Sequence, residues 1–91
     1  MSVTIRLPSV LRPAAQGEIE IQVEAGTVGE ALARLVERHE GVKKHLFQDD
    51  GALRGFVNVY LNDRDIRELA REASPLQPGD EIIIVPSMAG G

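Results

Sequence analysis

The chain has 91 residues, 43% hydrophobic and 26% charged, with a formal net charge of −4 and no cysteine. That size suits one domain with a single core, and the missing cysteines exclude disulfides, thiolate metal sites and cysteine nucleophiles. The acidic balance argues against nucleic acid, whose phosphates would repel it, and no apolar run approaches the roughly 18 residues of a membrane span. The opening "MSVTIRLPSVLRP" lacks the basic start and long apolar stretch of a signal peptide, so a cytoplasmic protein is expected. A mild acidic excess also suits docking on a basic patch of a protein partner.

Residues 3–7, "VTIRL", alternate at strand period, with Val3, Ile5 and Leu7 on one face. Pro8 and "RPAAQG" break this strand and lead by a long loop to "EIEIQVE" (18–24), where Ile19, Ile21 and Val23 share a face. The period then changes. Thr27 is the expected N-cap of a helix, with Glu30 completing a capping box and Val28, Ala31, Leu32, Leu35 and Val36 forming one apolar stripe. Gly41 is the expected stop. Residues 42–55 read as a helical turn around Val42–Phe47, then a loop through Asp49, Asp50 and Gly51.

Strand character returns at "FVNVYL" (56–61), followed by the turn pair Asn62-Asp63. "RDIRELA" fits a short edge strand or a helical turn equally, and Pro78-Gly79-Asp80 reads as a turn. The closing "EIIIVP" (81–86) is continuously apolar, as in a strand buried on both faces or central in a sheet. This order gives an α+β domain, and its compact solution is a β-grasp: the last strand lies centrally beside the first, and one main helix covers one sheet face. Residues 1–86 would form that domain and 87–91 a tail.

The tail "SMAGG" ends on Gly90 and Gly91, which lack a Cβ and can thread a narrow channel. Fully extended, residues 87–91 would reach on the order of 17 Å from the sheet. The group so presented is the α-carboxylate of Gly91, inert until converted to an acyl-adenylate with ATP. Sulfur attack would then leave a thiocarboxylate; attack by a lysine amine would leave an isopeptide bond. The chain has no P-loop, no G-x-G-x-x-G and no evident nucleophile-base pair, so it is expected to be non-catalytic, with no bound cofactor, and activated by another protein.

"LQPGDEIIIVPSMAGG" resembles the C-terminal signature of the bacterial sulfur carriers of the ThiS and MoaD group. "FVNVYLNDRDIR" and the early "PSVLRP" are similar to its CysO branch, which serves cysteine synthesis. The resemblance implies a ubiquitin-like fold and adenylation of Gly91 by an enzyme of the ubiquitin-activating type. It further implies a sulfur donor, and transfer to a PLP-dependent cysteine synthase or another sulfur-accepting enzyme. Two other uses of the same terminus stay open: the small subunit of molybdopterin synthase, and a modifier joined to lysines through Gly91.

In this reading Ser87, Met88, Ala89 and Gly90 enter the partner's site, and Val85 and Pro86 set where the tail departs. Ile83 and Val85, with Phe56 and Tyr60, are the expected docking patch. Sequence parity alone does not decide whether Ile83 and Val85 or Ile82 and Ile84 face outward; the resemblance favours Ile83 and Val85. His39 and His45 lack companion ligands at metal-binding spacing and read as a solvated helix end or packing histidines, so no metal site is expected. Asp49-Asp50-Gly51 lacks the alternation of a calcium loop. Lys43 and Lys44, the only lysines, read as wet surface.

Overall fold

A computed structural model describes residues 2–55 and 57–86, with Pro86 described by its backbone. Alternation of apolar and polar side chains builds strand β1 (Ser2–Arg6), which buries Val3 and Ile5 and turns Ser2, Thr4 and Arg6 the other way. Its antiparallel partner β2 (Glu20–Glu24) likewise buries Ile21 and Val23, with Ile5 opposite Ile21 and Val3 opposite Val23.

The connection between these strands is not the loop expected. Residues Ser9–Ala15 form a 3-10 helix that drops Leu11 and Ala15 into the core. Pro13 fits inside it because its fixed φ is helical. Gln16 (φ 58°) and Gly17 (φ 85°) then reverse the chain. Ile19 is also a correction. It lies in a bend before the ladder's first pair, Arg6 opposite Glu20, and is 55% exposed rather than packed with Ile21 and Val23.

Helix α1 (Val28–Arg38) starts where Thr27 Oγ1 accepts from the Glu30 amide at 3.2 Å. The reciprocal arm of the expected box reaches one residue further back, Glu30 Oε1 accepting from the Gly26 amide at 2.7 Å. Val28, Ala31, Leu32 and Leu35 face the core, and Val36 packs partly against it. The helix ends at Arg38 with His39 as its C-cap, not at Gly41. The chain runs on into a 3-10 turn (Glu40–Val42) and the short helix α2 (Lys43–Leu46), so no reversal requires glycine. Gly29 has a different reason to lack a side chain: a Cβ there would stand 3.1 Å from the Glu72 carbonyl oxygen.

Strand β3 (Val57–Leu61) leads through a turn with Asn62 at φ 58° into the two-residue strand β4 (Arg64–Asp65). The ambiguity of "RDIRELA" resolves as both alternatives in sequence, because a 3-10 turn (Ile66–Glu68) follows at once. Strand β5 (Glu81–Pro86) completes a five-stranded sheet ordered β2-β1-β5-β3-β4, parallel to β1 and antiparallel to β3. The continuous apolar run is thus the central strand. Helix α1 and the connecting turns pack on one sheet face, over Ile82, Ile84, Val59 and their neighbours.

Candidate functional site

The position of β5 is fixed at its entry. Gly79, at φ 86°, donates its amide to the Ser2 carbonyl at 3.0 Å, and Thr4 donates to the Asp80 carbonyl at 3.0 Å. Asn62 ties the β3–β4 turn to the same point, its Oδ1 accepting from the Glu81 amide at 3.1 Å and its Nδ2 donating to Asp80 Oδ1 at 3.2 Å. Asp80 Oδ2 in turn accepts from the Gln77 amide at 2.9 Å. With both ladders in place, the strand runs up the middle of the sheet and ends at Pro86, opposite Val57.

Residues directly opposed in a ladder share a face, so the registers define the uncovered side. Ile83 stands between Arg6 and Tyr60, Val85 stands opposite Asn58, and Tyr60 stands opposite Asp65. Ile83 and Tyr60 are half-buried and Val85 is 41% exposed, whereas Ile82 and Ile84 on the other side are 0% and 2% exposed. The structure therefore assigns Ile83 and Val85 to the open face and brings them together with Tyr60. Phe56 and residues 87–91, hence Ser87, Met88, Ala89, Gly90 and Gly91, lie outside the described residues, as does the side chain of Pro86.

Polar groups rim this apolar centre. Arg6 Nη1 reaches Glu81 Oε2 at 3.3 Å, a solvent-exposed pair worth little to stability. On the other flank Arg67 forks onto Asp65, with Nε to Oδ1 at 3.1 Å and Nη2 to Oδ2 at 2.8 Å, and its Nη2 also donates to Asn58 Oδ1 at 2.6 Å. The Arg67 side-chain hydrogen bonds, then its backbone amide, hold the Asp65 carboxyl below its ordinary value of 3.8. Sequence reasoning missed Asn58 and Asp65 and did not rank Arg67 above the other arginines as a partner contact. Asn58 and Tyr60 do share parity in "VNVYL", but only the β3–β4 turn brings Asp65 and Arg67 beside them.

Of the other residues singled out, His39 and Asp50 have structural roles, while Lys43, Lys44 and His45 are exposed. His39 is 6% exposed, a packing histidine, with Nε2 3.5 Å from Glu18 Oε1. Asp50 Oδ1 accepts from the Ala52 amide at 3.0 Å, which makes its loop a turn. Among the described residues no group of acidic or histidine side chains could hold a metal ion, and no helix is long and apolar enough to cross a membrane.

A mixed sheet with a central, last-in-sequence strand, one main helix on one face and a partly apolar open face defines a ubiquitin-like β-grasp protein. Within that class the chain belongs to the ThiS family, which matches residues 5–91. It is 33% identical to the sulfur carrier protein CysO of Mycobacterium tuberculosis, over 100% of both chains. It also resembles a chain in the crystal structure of the Amycolatopsis orientalis BexX/CysO complex (TM-score 0.88, 35% identity, covering 98% of this chain and 99% of that one). The solution structure of small archaeal modifier protein 1 from Methanosarcina acetivorans is similar too (TM-score 0.89, 29% identity, covering 99% and 96%).

Proposed function

We propose that this protein is a sulfur carrier whose working group is the carboxylate of Gly91, and that residues 1–86 serve as the handle by which partner enzymes hold it. One observation carries the reading: the apolar strand 81–86 is central in the sheet and ends at Pro86, beside the open face of Ile83, Val85 and Tyr60. The full-length likeness to CysO and the family match through residue 91 support the same use of the end.

In this mechanism an adenylating enzyme of the ubiquitin-activating type docks on the open face and draws Ser87, Met88, Ala89 and Gly90 into its channel. The Gly91 carboxylate attacks the α-phosphorus of ATP, and pyrophosphate leaves. Sulfide from a donor then adds to the acyl carbon and expels AMP, leaving a thiocarboxylate. The likeness to CysO supports a PLP-dependent cysteine synthase as the acceptor. The carrier supplies only the activated sulfur and a surface, and ATP and PLP belong to its partners.

The test is to alter the end without touching the fold. Gly90→Phe, or one residue appended after Gly91, should abolish adenylation while thermal unfolding stays that of the parent protein. Undiminished adenylation of both variants would overturn the proposal. A second reading, a modifier joined to lysines through Gly91, draws on the likeness to small archaeal modifier protein 1. It predicts larger covalent adducts in cell extracts that survive denaturation and thiol reductants, where the carrier predicts none.

A further inference from the structure

We propose that a cavity at the β3–β4 edge, on the helix side of the sheet, is a second anchoring point for the activating enzyme. It would receive from that enzyme a carboxylate side chain flanked by an aliphatic one. The inference rests on the function proposed above and specifies one contact of its partner.

The cavity measures about 280 Å³ and lies where α1 no longer covers the sheet, between the loop 52–55 and the turn at Arg71 and Glu72. Ligand pockets span roughly 300–1,000 Å³, so this one is too small to enclose a nucleotide or cofactor and suits one or two side chains. Val57, Val59 and Ile66 give it an aliphatic floor. Arg54, Arg67 and Arg71 stand around it with Asp65 and Glu72.

The five charges are not equivalent. Arg67 and Asp65 satisfy each other through their forked hydrogen bonds. Arg54 spends only its Nε, donated to the Lys44 carbonyl at 2.8 Å. Arg71 makes no side-chain hydrogen bond or close ion pair among the described residues, though its charge also helps hold the Asp65 carboxyl down, and Glu72 makes neither. Arg54 and Arg71 therefore keep unused donors among the lining residues, where three arginines stand with two carboxylates on a protein whose net charge is −4. The local excess attracts an anion, and the aliphatic floor favours one that brings methyl groups with it.

Arg71 is also an outlier in its backbone. Its φ is 54°, a region that residues with a Cβ seldom occupy. The turn around it is already held by Ser74, whose Oγ accepts from the Ala70 amide at 3.0 Å and whose carbonyl accepts from Val28 at 3.0 Å. Glycine would serve that turn better.

The place also fits. Val57 in the floor is the ladder partner of Pro86, and Arg67 at the lip bonds Asn58 of the open face. An enzyme that covers the open face and grips the chain beyond Pro86 overhangs this cavity.

The test is ATP–pyrophosphate exchange by an adenylating enzyme of the ubiquitin-activating type, with the full chain as the varied substrate. Arg71→Gly relieves the backbone and should unfold no more readily than the parent, yet raise KM about fivefold with kcat unchanged. Arg71→Glu should raise KM about tenfold or more, and Glu72→Gln should lower it about twofold. Arg38→Glu, on the distant wet side of α1, should change KM less than about twofold. If Arg71→Gly and Arg71→Glu leave KM at the level of the Arg38 variant, the inference is wrong while the carrier function stands. If the parent chain supports no exchange at all, both fall.

Discussion

Strand β5 presents two nearly identical pairs to two different environments. Ile82 and Ile84 point under α1 and are sealed; Ile83 and Val85 point away, between Arg6, Tyr60 and Asn58, and stay partly wet. The chemistry of the four side chains is almost the same, so the difference lies in what covers them. Burial makes the first pair part of what holds the sheet together. Exposure leaves the second pair able to gain free energy only when something else covers them, the signature of a surface that works by association.

The comparison is broken most directly by truncation. Ile84→Ala should cost about 2–5 kcal/mol in denaturant unfolding, since it opens a cavity beneath the helix. Val85→Ala, one residue along, should stay within about 0.5 kcal/mol of the parent. Equal costs would mean that the open face is structural. Val85→Asp sharpens the point, with stability nearly unchanged and adenylation by the partner strongly weakened.

Smaller effects probe what holds the covered face. Gly29→Ala improves helix propensity, but its Cβ would press on the Glu72 carbonyl at 3.1 Å. Overpacking should win, with a net loss of about 1 kcal/mol by thermal unfolding. Thr27→Ala removes the cap on the Glu30 amide and should cost about 1 kcal/mol in the same measurement.

The smallest effect belongs to the rim. Because Asp65 has a lowered pKa when folded, its contribution is present above its unfolded value, near 3.8, and is lost as pH falls through the lower folded value. Asp65→Asn should flatten stability against pH in that acid window and change little at neutral pH. The Arg67 half of the pair is exposed, so solvent and salt keep this contribution small.

Much of this architecture was legible from period alone. Alternation marked β1 and β2, strand-forming residues marked β3, a 3.6-residue stripe with Thr27 before it marked α1, and the unbroken run 81–86 marked the centre of the sheet. The parity of β5 was not legible, because four consecutive apolar residues carry no alternation; the ladders with Arg6 and Tyr60 decide it. The 3-10 helix over Ser9–Ala15 was missed for a related reason, since two prolines in a short stretch read as a break although Pro13 fits a helical φ. Nothing local in the sequence marks the Arg54–Arg71 cavity, whose walls come from connectors separated along the chain and joined only by the fold.

The central claim concerns one atom of the last residue. Incubating the protein with ATP, sulfide and an activating enzyme of the ubiquitin-activating type, then measuring intact mass and fragmenting the product, reads that atom directly. The account predicts a gain equal to sulfur replacing one oxygen, localised to Gly91. An unchanged mass, or sulfur carried on any other residue, would contradict it.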